Sequence, residues 1–527
     1  MRVSELTSSS RLLLLALLFP VGGIGVAQAQ SSEITVFEGA DADVPLEVPD
    51  APAAKEKAKP PPAPVIPAAP PSTSDRPKAS VEIREKREGP LASPSFRRGR
   101  RPRPPDGVGS GRPAPTGWRI AGAAELGAQP LALAPGETDV FLSLTPYLAI
   151  SAGQRFELEL GSPLRLPVGA ITGAKPFALR PEDWDERSDW GQVLRHLRIG
   201  HDTDAVGFEA GRLTQFTLGR GSLIYRYENR MLATQSPAGA HLRVETGPVR
   251  TDVVASDVLA LRVLAGEVRI DGGHLVAGSP AAAGRWHMAV SAAHEGGQVA
   301  AESDALTLAN LDLDAVLWRA PTFQLAAFGS LGARLGIGGD NLGAQLGVEW
   351  EAQLSEVVFG ARFAGRRFSG GFKHGYFGAA YELERLSAQG FTGLPLADVR
   401  LPAGFSGHAL AQVGWGAQAR EDVVELGRTR GTLSVGVEHF DFGRTDVEAA
   451  VQWDLAQPGV SLSSRLGVSG LGQTPLTWVH LEGRGRLAPA IYVVAGAGTT
   501  FAPREGGGLT RGWMANAGVG FDFDARF

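Results

Sequence analysis

The sequence predicts an all-β protein, a transmembrane antiparallel β-barrel of about 16 to 18 strands preceded by a disordered proline-rich segment. Three observations carry this reading. First, the last fifteen residues alternate. Trp513, Ala515, Ala517, Val519, Phe521, Phe523, Ala525 and Phe527 share one face, while Asn516, Asp522, Asp524 and Arg526 stand among small residues on the other. Successive strand side chains point to opposite faces, so a period of two describes a strand with an apolar side and a wet side. Second, the same pattern recurs from residue 322 onward in segments of regular length. Third, the chain opens with an export signal that no apolar helical span follows.

Composition narrows the alternatives. A length of 527 residues alone suggests several soluble domains, but barrels run long as single units. Cysteine is absent, which excludes a disulfide framework, a thiolate metal site and an acylated lipoprotein cysteine. A net charge of -5 gives no footprint for nucleic acid and no acidic tail. Mean hydropathy is -0.04, as expected when apolar and polar residues alternate instead of clustering into spanning helices.

The chain divides into three parts. Residues 1–29 carry Arg2 and Arg11, an apolar run from Leu12 to Val26 and the sequence Ala27-Gln28-Ala29, which together make a cleaved secretory signal. Pro20, Gly22, Gly23 and Gly25 interrupt the run, so it is too short for a transmembrane anchor. Residues 30–116 hold 18 of the 36 prolines and few large apolar side chains, so they cannot offset their ordering entropy and read as a disordered periplasmic linker. Its charge is sorted: Glu33 to Asp50 is acidic, and Arg97, Arg98, Arg100, Arg101 and Arg103 form a basic end. That end suits contact with peptidoglycan, another periplasmic partner or lipid headgroups; the alternative is a solvated linker.

Residues 117–527 are the barrel. Broken alternation marks strands near 140–150, 154–160, 193–200, 205–213, 242–247, 263–273 and 285–294. Eleven regular segments follow, near 322–335, 341–354, 357–368, 374–386, 405–418, 432–443, 445–455, 460–469, 476–487, 490–502 and 513–527. Each is long enough for a tilted span of about 9–11 residues. In 341–354, Leu342, Ala344, Leu346, Val348, Trp350, Ala352 and Leu354 oppose Gly343, Gln345, Gly347, Glu349, Glu351 and Gln353. A soluble sandwich would bury the first set and a membrane barrel would expose it to lipid; the export signal and the uniform segments favour the barrel. Roughly five to seven strands from the first half complete an even count with both ends periplasmic. Trp478 falls on the polar parity of its segment, against an interfacial aromatic girdle.

The final strand, ending on Phe527, resembles the closing strand of Gram-negative outer-membrane barrels, where a terminal aromatic is read by the assembly machinery. This resemblance assigns Phe523 and Phe527 to barrel closure and assembly. A second resemblance rests on WDERSDWG (184–191), TLGRGSLIYRYENRM (217–231) and VLALRVLAGEVRI (258–270). These are similar to a group of outer-membrane barrel proteins with a WDxxSD, TLGxGS/T and YxN motif set. There the middle motif reads T-L-G-H-G-T; here Arg220 replaces the histidine and Ser222 the threonine. The resemblance implies fold and location and carries no activity.

Candidate site residues follow from charge. The Gly219-Arg220-Gly221 turn permits a sharp reversal, and Arg212, Arg220, Arg226 and Arg230 fall close together with Glu209 and Glu228 as partners. They are expected to form an inward-folded constriction whose guanidinium groups set pore electrostatics, or else a salt-bridged turn on the rim. Ten scattered histidines show no zinc spacing, no triad motif is present, and no cofactor or metal is expected. His201-Asp202-Thr203-Asp204 reads as a polar turn. Glu349, Glu351, Arg362, Arg366, Glu382, Glu384, Asp446, Glu448, Arg484 and Arg486 share lumen parity and suit cross-strand pairing in a wet interior. The expected function is passive diffusion of small hydrophilic solutes through a porin-like barrel. A plugged, non-conducting barrel serving as envelope scaffold is the alternative, and an outer-membrane hydrolase a distant third. Expected partners are outer-membrane lipid, lipopolysaccharide and the assembly machinery.

Overall fold

The computed structural model describes residues 117–526 except 135–136, 154, 169–177, 202–203, 233, 278–283, 297–304, 337–340, 356, 393–395, 397–398, 400–401, 417–429, 456–458, 474 and 505–507. The signal, the 30–116 linker and Phe527 lie outside the described residues.

Antiparallel pairing runs from strand to strand around a closed barrel. The first half comprises β1 (Trp118–Ala134), β2 (Glu137–Ala152), β3 (Phe156–Leu160), β4 (Leu164–Pro167), β5 (Leu194–Ile199), β6 (Val206–Gly211), β7 (Gly239–Thr246), β8 (Val249–Ala255), β9 (Val263–Asp271), β10 (Trp286–Glu295) and β11 (Leu306–Ala320). The second half comprises β12 (Phe323–Leu335), β13 (Leu342–Leu354), β14 (Val357–Phe368), β15 (Gly404–Trp415), β16 (Arg430–Phe440), β17 (Thr445–Leu455), β18 (Val460–Leu471), β19 (Leu476–Ala488), β20 (Ile491–Pro503) and β21 (Leu509–Arg526). β1 pairs with β21 in the register Leu126↔Val519 and Gly122↔Phe523, which closes the cylinder. β3 and β4 lie end to end along β2, so the 21 strands make a 20-strand barrel.

The count exceeds the sequence expectation of 16 to 18, although one expected segment is not a strand. β1, β8 and β11 were not legible as alternating segments, and β5 and β6 are only six residues long. Conversely, 374–386 is no strand. Gly375 sits at φ 65°, where the chain turns, and Tyr376, Ala380, Leu383 and Leu386 recur at a spacing of three or four on a segment that becomes helical.

The faces answer the question that the pattern left open. On β13, Leu342 and Leu346 are 65% and 73% exposed, whereas Gln345 and Glu349 are buried. The same inversion holds on β21, where Val519, Phe521 and Phe523 are more than half exposed. Apolar side chains outside and polar ones inside describe a cylinder solvated by lipid. No helix among the described residues is long and apolar enough to cross a membrane.

The two ends differ. At the end that holds β1's start and β21's finish, most links are tight, several turning through positive φ at Gly247, Ser355 and Gly459, with 272–285 and 416–429 the longer exceptions. The long links 168–193, 212–238 and 369–403 all leave the opposite end. Short periplasmic turns and long outer links are the arrangement of outer-membrane barrels.

Candidate functional site

The 212–238 link folds inward. Phe216 and Tyr227 exchange backbone hydrogen bonds of 2.9 and 2.8 Å, and Leu218 N–H donates to the Ile224 carbonyl at 3.1 Å, which makes an irregular hairpin. Its tip is Gly219-Arg220-Gly221, with φ of 53° at Gly219 and 78° at Gly221. A Cβ at Gly219 would collide with the Glu267 carboxylate, so the tip requires glycine there both for conformation and for space.

A second inward segment, 369–392, seats against the hairpin. Gly375 and Phe377 N–H groups donate to Ser222 and Leu223 carbonyls at 2.8 and 3.0 Å, and Tyr225 N–H donates to the Phe377 carbonyl at 3.1 Å. Of the two α-helices, α1 (Gly272–Ala277) lies earlier, between β9 and β10 at the opposite end of the barrel, and only α2 (Tyr381–Thr392), which ends this segment, belongs to the plug. Phe216, Leu218, Leu223, Ile224, Tyr227, Phe372, Phe377 and Tyr381 bury one another against Val254, Val263, Ala265, Ala293, Leu306 and Leu308 of the β8–β11 wall. A second cluster joins Leu232, Leu383 and Leu386 to Phe501 of β20, with Trp478 of β19 packed against it. Trp478 therefore points inward because it braces the plug, which explains its polar parity.

Each of the four arginines is placed by the hairpin. At the tip, Arg220 Nε donates to Asp314 at 3.0 Å and Nη1 binds Glu349. Burial opposes its charge, but Glu349 and Asp314 outweigh burial and hold the guanidinium above its ordinary pKa. Arg226 donates to Ser434 of β16 at 2.9 Å and lies 3.3 Å from Glu448 of β17. Arg230 donates to the Pro237 and Gly191 carbonyls at 2.8 and 2.7 Å and so locks the outer links together. Arg212 binds Glu228, whose other oxygen accepts from Arg465 of β18 at 2.6 Å. Burial would raise the Glu228 carboxyl, but Arg465 and Arg212 together hold it at about 2. Of the two whose exposure bears on a water path, Arg212 keeps 30% of its side chain accessible and Arg220 only 9%.

The lumen-parity set is sorted by the plug. Glu349 serves Arg220, Glu448 serves Arg226, and Arg366 donates to Glu438 at 2.7 Å. Glu382 and Glu384 stand on α2 rather than on a strand. Glu382 accepts from the Tyr227 hydroxyl, and Glu384 binds Arg444 and Ser469 of the wall. Asp446 accepts from Arg444 at 2.8 Å, Arg484 lies 3.0 Å from Glu125, and Arg486 donates to Asp522 at 2.6 Å. Asp312, Asp314 and Glu267 escaped the sequence reading, although Asn310, Asp312 and Asp314 alternate with Leu311 and Leu313. Ser222 of the hairpin donates to Asp312 at 2.6 Å.

The outer link around WDERSDWG carries two short 3-10 turns, Pro181–Asp183 just before the motif and Arg187–Val193 largely within it. Asp183 accepts from Arg180 at 2.6 Å and Arg165 at 2.8 Å; Glu186 and Asp189 form a capping box; Ser188 binds Asp257. Burial pushes the Asp189 carboxyl up to about 6. Asp204 accepts from His201 N–H at 2.9 Å and Arg155 at 3.0 Å, a polar turn. Among the described residues no group of three or more candidate ligands is placed to hold a metal ion.

Neither a protein-family model nor a curated protein matches the sequence. Among solved structures the barrel is similar to Acinetobacter baumannii OccAB4, at 8% identity and TM-score 0.31 over 78% of this chain and 99% of that one. It is similar to Pseudomonas aeruginosa OpdK with vanillate, at 9% identity and TM-score 0.33 over 77% and 99%. It is also similar to Wzi of Escherichia coli, an outer membrane protein involved in group 1 capsule assembly and described as a carbohydrate binding β-barrel, at 12% identity and TM-score 0.32 over 77% and 85%.

Proposed function

We propose that the chain is an outer-membrane, porin-like channel that passes small hydrophilic solutes along one side of a partly plugged lumen. The observation that carries this reading is where water still reaches ionic side chains. Arg212, Arg465, His480 and Glu482 retain about a quarter to a third of their exposure (30%, 27%, 34% and 32%). They stand on the face of the plug turned away from the β8–β11 wall or on β18 and β19. Charged groups of both signs lining a wet strip suit hydrated solutes better than apolar ones. In this reading residues 1–29 export the chain, and the 30–116 segment tethers the barrel to peptidoglycan or another periplasmic partner.

A second reading, a closed barrel that acts as an envelope scaffold, is favoured by one observation: the hairpin is bonded to several walls at once. Single-channel current through the purified protein in a planar bilayer separates the two. Ion-selective steps, altered in Arg212→Gln, support the channel. Silence from protein with β-barrel circular dichroism and heat-modifiable gel mobility would leave the scaffold.

A further inference from the structure

Arg362 of β14 is 1% exposed. Its Nη1 donates to the Arg220 carbonyl at 2.7 Å, and its guanidinium carbon lies 4.3 Å from the Phe328 ring centroid. Its other edge, Nε together with Nη2, has no partner, and among the described residues no carboxylate binds it. That edge is the one that grips an oxyanion with two parallel hydrogen bonds.

Further unpaired donors gather around it: Arg366 Nη2, Arg226 Nη1 and the Tyr225 hydroxyl, with His408 Nδ1 also unpaired. They occupy one compartment between the hairpin and β14–β16. The guanidinium carbons of Arg362 and Arg366 lie 5.9 and 6.0 Å from the Tyr225 ring centroid, and the Tyr225 ring meets the His408 ring at 5.2 Å. Arg226 Nη1 lies 3.6 Å from the point where Gly436 would carry a Cβ, beside a Leu410 methyl at 3.5 Å from the same point, so on this side the wall offers only apolar contact. Of the nearby acids, Glu438 binds Arg366, Glu448 binds Arg226, and Asp314 and Glu349 Oε1 bind Arg220, while Glu349 Oε2 is itself unpaired and acts on Arg362 only at longer range. A buried guanidinium without a counter-charge is strongly unfavourable.

We propose that this compartment holds an inorganic tetrahedral oxyanion, phosphate or sulfate, bound by the free edge of Arg362 with Arg366, Arg226 and Tyr225. Five unpaired donor atoms on four clustered side chains match the acceptor oxygens of such an ion. Their closure from bulk water makes it an occluded ion that pins the hairpin to β14–β16. This site does not depend on whether the barrel conducts.

The test is refolding of the full protein from urea into detergent, with chloride alone or with inorganic phosphate at matched ionic strength, followed by the temperature midpoint of the heat-modifiable gel shift. Phosphate is expected to raise the midpoint by several degrees, by mass action on the folded state. Arg362→Leu is expected to lose that rise, and Arg155→Gln, at an exposed turn, to keep it. If Arg362→Leu fails to refold, Arg366→Gln serves, with a weakened rise expected. The proposal is overturned if phosphate leaves the parent unchanged, or if Arg362→Leu shows the same rise. It is equally overturned if Arg362→Leu exceeds the parent's midpoint in both buffers, as removal of a needless buried charge would do.

Discussion

Glu228 holds Arg212 and Arg465 with its two carboxylate oxygens, and those arginines belong to different sides of the barrel. Arg212 follows β6 and Arg465 sits on β18; between them the short way round stand β19–β21 and β1–β5. One carboxylate thus bridges the lumen and fixes the depth of the hairpin. Glu228→Gln removes the charge that both guanidinium groups require. With Glu228 buried and its partners partly wet, the expected loss is about 1–3 kcal/mol of plug stability. Faster proteolysis within 212–238, with shifted anion preference in the current, checks it.

The same bridge sets an acid limit. Glu228 titrates at about 2 in the folded chain against an ordinary 4.5. A depressed carboxyl stabilises above its unfolded value and loses that contribution as pH falls through the folded one. Plug protection is therefore expected to stay level from pH 7 to pH 5 and to fall between about 4.5 and 2. Glu228→Gln should flatten that fall; an unchanged fall in the variant would assign it to other groups.

Asp189 runs the other way. Its folded value of about 6 lies above the ordinary 3.8, so ionisation weakens the outer turn as pH rises through 6. Below about 3.8 that penalty is absent. Hydrogen exchange at residues 186–193 is expected to slow as pH drops from 7 to 5, after correction for the intrinsic rate. Asp189→Asn, which keeps an acceptor for Glu186 N–H, should show slow exchange already at pH 7.

Arg220 is the residue whose removal should do most harm. Arg220→Ala would leave Asp314 and Glu349 buried without their cation, an effect of about 3–5 kcal/mol for a buried pair. Gly219→Ala should displace the same contacts indirectly, since it combines a left-handed backbone with the collision against Glu267, at roughly 1–3 kcal/mol for the backbone strain alone. Thermal midpoints of both variants should fall while barrel circular dichroism persists. Loss of the barrel signal itself would mean that the tip is needed for closure.

At the seam, the Phe523 ring covers Gly122 of β1 from the lipid side, where a Cβ would collide with it. Phe523→Ala should cost about 1 kcal/mol, within the range for cross-strand pairs. The temperature of the gel-mobility shift measures it. Phe527 lies outside the described residues, and its deletion is expected to lower the amount of assembled barrel in membranes.

In the second half the strands were legible because one face meets lipid and the other the lumen, so a period of two survives in the sequence; β11 alternates in the same way and was missed. The ten strands from β12 to β21 were readable for that reason. The plug was not, since Leu213, Phe216, Leu218, Leu223, Ile224 and Tyr227 are buried from several directions and leave no period. The glycines of 219 and 221 did mark the turn, and the four arginines lie on the inward-folded link that carries it. What the sequence could not show is which acids answer them: Asp314, Glu349, Glu448 and Glu228 are fixed by register and depth across the lumen. The same limit hid Arg362, which looked like one more lumen charge among many.

The cylinder is closed by its first and last strands, β1 and β21. No circular wall therefore exists until the end of the chain has been delivered, and every bond that crosses the interior waits for that moment. Until then the apolar faces of the earlier strands belong to an open sheet. Contacts so distant along the chain form slowly.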